Sequence, residues 1–347
     1  FGESAGGVSV LALTVSPLAE GLFRGAIAQS SAIMESLNVT REEAGDLGVA
    51  VGNFVNATGI PLYGISQISQ MRSVPAEAYL EAMQAFQVSP AGPMAFLYKD
   101  NKSLPVSVYE GFQTGAQHQG VNMMIGMNEN ETTPFLMPIN ATSPITTESY
   151  TTFVDNAFGT NESDVQIVME NIPANSDEDA FAAYTELWTD LFFGSSSFGV
   201  AQGSASSGAS TWFYMFDYEY EAAPMLGAYH AIEIPFALNT TNFITPMDNV
   251  ALGSAMVRYW TNFAKTGNPN QPDTASLPKW PAFEEGSDSW QVLGDEISNQ
   301  PIPESRREVY ALGKTLYPPS ILGSFGPLYG TNYTWSPEDG VPAGPQA

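Results

Sequence analysis

An α/β fold, with a mostly parallel central sheet flanked by helices, is predicted by three observations on this 347-residue chain. Short apolar runs at 25–29, 121–127 and 211–218 have the length of strands and are bounded by turn formers. Long stretches with helical signatures separate them, as in repeated strand–helix–strand units. At the start of the chain, Gly2-x-Ser4-x-Gly6 leads at once into the apolar run Val8–Leu13, which reads as a tight turn from a strand into a helix.

Taken in order, Ala5 to about Val15 should form a buried helix, because it is apolar nearly all round and Pro17 ends it. Gly25–Gln29 is short, apolar and flanked by turn signals, so it is expected to be an interior parallel strand. Thr40 can cap a helix running to about Val55, with Glu43 completing a capping box, and Pro75–Phe86 predicts another helix. Val121–Met127 is the next strand, ending in polar residues as expected at a catalytic sheet edge. Helices are expected to fill 146–203, with 186–193 the most apolar part, and the small-residue segment 203–210 should close them. Thr211–Tyr218 is aromatic enough for a strand. Leu252, Met256, Tyr259, Trp260 and Phe263 recur at helical spacing and mark a core stripe. The Pro/Gly-rich segment from about 318 to 347 is expected to be an irregular tail.

Eleven Lys and Arg face 37 Asp and Glu, a formal charge of −26. Such a chain repels nucleic-acid phosphates and anionic lipid surfaces, so neither nucleic-acid binding nor stable membrane insertion is expected. No apolar run approaches the roughly 18 residues of a membrane span. With no cysteine and two histidines, a disulfide, a cysteine nucleophile and a zinc cluster are not expected, and no metal or organic cofactor is called for. Asn-x-Ser/Thr sequons at Asn38, Asn56, Asn101, Asn130, Asn140, Asn161, Asn239 and Asn332 suggest an extracellular, secreted glycoprotein. Asn130 adjoins a candidate site residue and should be closed to a glycan.

A serine on a strand-to-helix turn is exposed above the sheet, and small neighbours two positions away avoid collisions with the incoming strand and outgoing helix. The turn also aims backbone N–H groups at the space above Ser4, with Ala5 N–H the first candidate oxyanion donor. A serine hydroxyl is a poor nucleophile unless an imidazole accepts its proton and an acid orients that imidazole. The histidines available are His118 and His230.

Beyond the short pattern, the chain resembles the type-B carboxylesterase and lipase family, which includes the cholinesterases, within the α/β-hydrolase fold. The resemblance is carried by Gly2-Glu3-Ser4-Ala5-Gly6-Gly7 and by Ser16–Arg24 with Ala26–Ser31. It continues in order through Gly126-Met127-Asn128-Glu129-Asn130-Glu131, Gly227–Phe236 around His230, and Tyr259–Asn270. Trp280–Phe283 and Trp290–Leu293 resemble the family's closing β segment.

The resemblance implies a serine carboxylic-ester hydrolase, acting on small-molecule or lipid esters through an acyl-enzyme. In this fold the order is nucleophile, acid, histidine. Ser4, Glu131 and His230 satisfy it, whereas His118 would need Asp100 or Glu110, neither just beyond a clear strand. His118, among Gln117, Gln119 and Gly120, is expected on the surface. Glu3 and Ser30 match family positions that support the site by hydrogen bonding and a local negative field, and Phe135 is an expected pocket wall. Pro134 stands where cholinesterases have an aromatic that helps hold choline, which favours a general esterase or lipase. Ile60 and Gln70 stand where many relatives have a disulfide. Relatives commonly have Asp-Glu-Gly at the acid, but this chain has Asn130-Glu131-Thr132.

The chain starts one residue before the elbow, and relatives carry a long preceding segment with a His-Gly-Gly type oxyanion loop. The expectation is the C-terminal part of a single α/β-hydrolase domain, 1–347, lacking its N-terminal strands and inactive without that loop. The competing class is a non-catalytic, cholinesterase-like adhesion or binding protein, which has no reason to retain Ser, Glu and His together.

Overall fold

The computed structural model describes residues 1–33, 69, 71–80, 97–159, 161–240, 249–272 and 277–313. The chain divides into two units, Phe1–Glu35 with Asn101–Leu316, and Ser36–Asp100 with Tyr317–Ala347. The expected helix at 40–55, positions 60 and 70, and the tail from 318 lie outside the described residues. In the second unit, 76–80 are helical, and the remainder of the expected 75–86 helix is likewise outside them. Tyr79 donates its hydroxyl hydrogen bond to Met71 O there, at 2.8 Å.

The first unit holds a six-stranded sheet: β1 (Gly2–Glu3), β2 (Gly25–Gln29), β3 (Asn122–Asn128), β4 (Thr211–Asp217), β5 (Ser289–Gly294) and β6 (Ile297–Pro301). The strands lie side by side in sequence order. The first five are parallel, and β6 returns antiparallel to β5. Parallel neighbours require crossovers, which are supplied here by helices. These are α1 (Ala5–Val15), α2 (Val108–Thr114), α3 (Thr133–Thr142), α4 (Thr147–Phe158), α5 (Glu162–Asn171) and α6 (Asp177–Thr189). After a π-helical turn, Asp190–Gly194, come α7 (Ser195–Ser206), α8 (Ile234–Leu238), α9 (Val250–Thr266) and α10 (Glu304–Leu312).

The expected helical region 146–203 is therefore four α-helices and a π turn. Each start has a physical cause: Thr146 and Ser149 make a capping box, and Asn161 and Ser176 cap α5 and α6 with side-chain oxygens. The apolar stretch 186–193 runs through the junction of α6 and the π turn, where Leu187, Trp188 and Leu191 are buried.

Alternation along β4 builds two cores. Trp212, Tyr214 and Phe216 face one side, packing with Met256, Tyr259, Trp260 and Phe263 of α9 and with Trp280. Phe213 faces the other side, against Phe198 of α7, Phe283 and Trp290. Fully buried aromatic side chains of this size dominate core energetics.

Two expectations need correction. In α1 the residues buried are Gly7, Leu11, Thr14 and Val15, while Leu13 is 51% exposed. Apolar composition all round had suggested burial all round, but the helix rests on the sheet by one stripe. Trp280–Phe283 is not a strand: Phe283 makes an isolated bridge to Thr211, Pro281 has no N–H to give a ladder, and Trp280 N–H is taken by Asn270 Oδ1 at 2.8 Å.

Trp280 is the hub of this region, buried against Tyr214, Tyr259 and Trp260, with its indole N–H donating to Phe213 O at 3.2 Å. Trp280→Ala should destabilise the fold by about 3–5 kcal/mol through cavity formation and loss of that hydrogen bond, measured as a shift of the urea unfolding midpoint.

Candidate active site

The site lies where β1, β3 and β4 end, at the carboxyl edge of the parallel strands, where α/β sheets present their loops to ligands. Ser4 follows β1 directly and caps α1. Its N–H donates to Gln29 O at 2.9 Å, and its carbonyl accepts the first helical bond, from Val8 N–H at 3.0 Å. Held from both sides, Ser4 sits at φ 55, ψ −124, a strained conformation for a residue with a Cβ. Ala5 is the first residue of α1, so its N–H belongs to the first turn, where no intrahelical acceptor exists.

The glycines around Ser4 have unequal duties. A Cβ on Gly2 would come within 2.5 Å of the Gly6 backbone, and one on Gly7 within 2.2 Å of Ser31 Oγ and 2.9 Å of Gln29 O. A Cβ on Gly6 would meet nothing within 4 Å. The expected collision at Gly6 is absent, and Gly7 carries the close approach to β2 instead.

Glu131 follows β3 and is completely buried. Its Oε1 accepts from Asn128 N–H at 2.7 Å, and its Oε2 lies 2.5 Å from His230 Nδ1. His230 Nε2 lies 2.9 Å from Ser4 Oγ. A carboxylate can only accept, so Nδ1 carries the ring proton, and Nε2 accepts from the Ser4 hydroxyl. The loop after β4 is pinned to the acid turn by Asn130, whose N–H donates to Ala228 O and whose Oδ1 accepts from Ala228 N–H, each at 3.0 Å. Thr132, where relatives commonly have Gly, donates its hydroxyl to Thr185 O at 2.7 Å and so ties the turn to α6.

Glu3 Oε1 lies 3.2 Å from His230 Nε2, although that nitrogen's hydrogen bond goes to Ser4. Ser30 is buried in the left-handed region at φ 51, and its N–H donates to Gly126 O at 2.8 Å. Its Oγ bonds no described residue, so the hydrogen bond expected from that side chain is not made among them. Phe135, 54% exposed, places its ring 5.2 Å from the His230 ring. His118 is at the far end of α1 from Ser4 and half-buried, not on the surface: Nε2 lies 2.8 Å from Ser16 O, and the backbone N–H donates to Thr14 O. Glu110 is in the first turn of α2, and Asp100 belongs to the second unit.

Several residues at the site escaped sequence reasoning. Asn128 donates through Nδ2 to Tyr229 O and to Glu233 Oε2, both at 2.8 Å, so one buried residue holds the His230 loop by its side chain and Glu131 by its backbone N–H. Glu233 Oε1 accepts from Gln29 Nε2 at 2.8 Å, and Gln29 Oε1 accepts from Trp260 Nε1 at 2.9 Å. Polar residues ending apolar strands, and a Glu between Ile232 and Ile234, were the available signals. Phe193 of the π turn packs 5.1 Å from the His230 ring, and nothing in its apolar stretch distinguishes it.

The electrostatics are those of several acids around one imidazole. Burial, the largest influence on His230, disfavours the imidazolium, but the Glu131 hydrogen bond and charge, with Glu3 and Glu233, outweigh it and raise its pKa above the ordinary value. Burial pushes Glu3 up to about 7, reinforced by Glu233 and Glu131 and opposed by His230. Burial, then the charge of Glu131, also raises Glu233. Among the described residues, no group of three His, Cys, Asp or Glu is placed to hold a metal ion.

A sequence model described as the carboxylesterase family matches residues 1–308. The chain belongs to the carboxylesterase family. Para-nitrobenzyl esterase of Bacillus subtilis (strain 168) is 29% identical over 323 residues, covering 88% of this chain and 60% of that protein. Human cocaine esterase is 28% identical, with 82% of this chain and 52% of that protein covered. Among solved structures, a PNB esterase aligns with a TM-score of 0.70 at 27% identity, over 89% of this chain and 62% of that one. A Geobacillus stearothermophilus carboxylesterase aligns with a TM-score of 0.70 at 25% identity, over 89% and 63%. The chain thus spans about half to three-fifths of the length of these curated relatives. The fold is that of the α/β-hydrolases. No helix of the described residues is long and apolar enough to cross a membrane.

Gly2→Ala or Gly7→Ala should slow labelling of Ser4 by a fluorophosphonate and lower Tm by several degrees, whereas Gly6→Ala should leave Tm within about a degree. Thermal scans and labelling time courses on the three variants separate these outcomes. A second expectation follows from raised carboxyl pKa values, about 7 for Glu3 and about 6 for Asp217. These groups hold protons in the folded state that the unfolded chain has released above about pH 4–5, so stability falls as pH rises through 5 to 7. The Tm should be higher at pH 5 than at pH 7.5, and the reverse order in a buffered calorimetric series would contradict these shifts.

Proposed function

We propose that this protein is a serine carboxylic-ester hydrolase in which Ser4 is the nucleophile, His230 the general base and acid, and Glu131 the orienting acid. The observation that supports it most directly is the unbroken line from Ser4 Oγ to His230 Nε2, 2.9 Å, and from Nδ1 to Glu131 Oε2, 2.5 Å. In the forward half-reaction Ser4 Oγ attacks the ester carbonyl while its proton passes to Nε2. The tetrahedral oxyanion accepts from Ala5 N–H, and collapse expels the alcohol, which takes the proton from Nε2. Water then attacks the acyl-enzyme, giving its proton to Nε2, and the acid product leaves with Ser4 reprotonated. Throughout, Glu131 keeps Nδ1 protonated and stabilises the imidazolium.

Phe135 and Phe193 wall the imidazole with aromatic faces, which suits neutral esters with apolar or aryl groups. The names of two relatives, para-nitrobenzyl esterase and cocaine esterase, point the same way. The sequons and the charge of −26 support a secreted setting. A non-catalytic binding role would leave the alignment of these three side chains without a purpose.

Labelling of the native protein with a fluorophosphonate should place the adduct on Ser4 and nowhere in a heat-denatured control. In the complete native protein, hydrolysis of a para-nitrophenyl ester should be lost in Ser4→Ala and fall as pH drops through a value above about 6.5, because the base must be neutral and its pKa is raised. A profile flat from pH 5 to 8, or an adduct elsewhere, would sink the assignment.

A further inference from the structure

We infer that Arg306 is a positioning residue for the His230–Glu131 pair, fastening the turn before the acid to the π-helical turn that packs against the base. The inference rests on the triad reading above. Arg306 projects from α10 and is buried, although its helix begins near the end of the described chain. Nε lies 3.0 and 3.2 Å from the two carboxylate oxygens of Asp190, and one terminal nitrogen is 2.5 Å from Oδ1. The other terminal nitrogen reaches Glu129 Oε2 at 2.5 Å. The guanidinium carbon stands 5.5 Å from the ring centre of Trp290 and 5.9 Å from that of Tyr310. A planar fork held by two rings fixes the direction of both carboxylates, which a flexible ammonium cannot do.

Each partner leads to a triad member within a few residues. Asp190 opens the π turn, and three residues on, Phe193 packs its ring against His230. π-Helical turns are rare and concentrate at functional sites. Glu129 stands between Asn128, whose N–H holds Glu131 Oε1, and Asn130, whose backbone and side chain hold Ala228 just before the base. Glu129 N–H also donates to Phe216 O at 2.9 Å, so the turn is anchored to β4 as well. Rotation of either partner away from Arg306 therefore shifts the backbone that aims the acid or the ring that buttresses the base. Glu186 and Asp217 also lie within electrostatic reach of Arg306, so simple charge screening of four acids is the competing role.

Glu129 separates the two roles, since its side chain is 34% exposed and its removal leaves the Arg306–Asp190 pair intact. The readout is the low-field proton resonance of His230 Nδ1–H in the full chain, identified among its two histidines by its loss in His230→Gln. Glu129→Ala should move or broaden this resonance, and Glu129→Gln, which keeps an acceptor oxygen, should restore it, with Tm within a few degrees in both. Arg306→Lys should also move it, and kcat for a para-nitrophenyl ester should fall roughly three- to tenfold in Glu129→Ala with KM within about twofold. An unmoved resonance in Glu129→Ala, full restoration of the wild-type signal by Lys, or no low-field resonance in the wild type would overturn the inference. A resonance that responds in a complete native protein without esterase activity would uphold the positioning role while refuting the hydrolase reading.

Discussion

Glu131 is a carboxylate without solvent, and the arrangement of the site follows from satisfying it. An unpaired buried charge costs several kcal/mol, so each oxygen needs a donor fixed in place. Asn128 N–H supplies one at the end of β3, and His230 supplies the other from the loop after β4. For both donors to arrive together, β3 and β4 must pair in register, and they do so over six residue pairs from Met123–Thr211 to Asn128–Phe216. The buried acid thus converts sheet register into the direction of an imidazole.

The same economy explains the carboxamides nearby. Glu233 is a second buried acid three residues beyond His230, and it is met by Gln29 and Asn128 rather than by a cation. Amide donors stabilise the ionised form without introducing a positive charge that would compete for Glu131 or depress the basicity of His230. Arg306 sits behind the Glu131 turn against Trp290 and Tyr310, where it touches the carboxylates of Glu129 and Asp190.

Local rules made β2, β4, α1 and the stripe of α9 legible in the sequence, because each is fixed by a short pattern: an apolar run between turn formers, a proline stop, a helical repeat. Ser4, Glu131 and His230 were legible through motif, order and family resemblance, and the structure brings them together. Gln29, Asn128, Glu233 and Arg306 were not, since their role depends on pairings between segments far apart in the chain, and a single sequence carries no sign of which polar residue meets which. Trp280–Phe283 misled for the opposite reason: its composition suits a strand, but its N–H groups are spent elsewhere. The π turn was invisible because an apolar stretch of helix formers has the same pattern whether it winds with 3.6 residues per turn or more.

The sheet's order has a consequence for biosynthesis. Because the six described strands lie side by side in the order in which they leave the ribosome, each of them after β1 adds beside the one made before it. Ser4, Glu131 and His230 consequently arrive in succession, just after β1, after β3 and after β4. Arg306 arrives last. The contacts around His230 and the Glu131 turn are therefore complete only when the end of the sheet-bearing unit has been made.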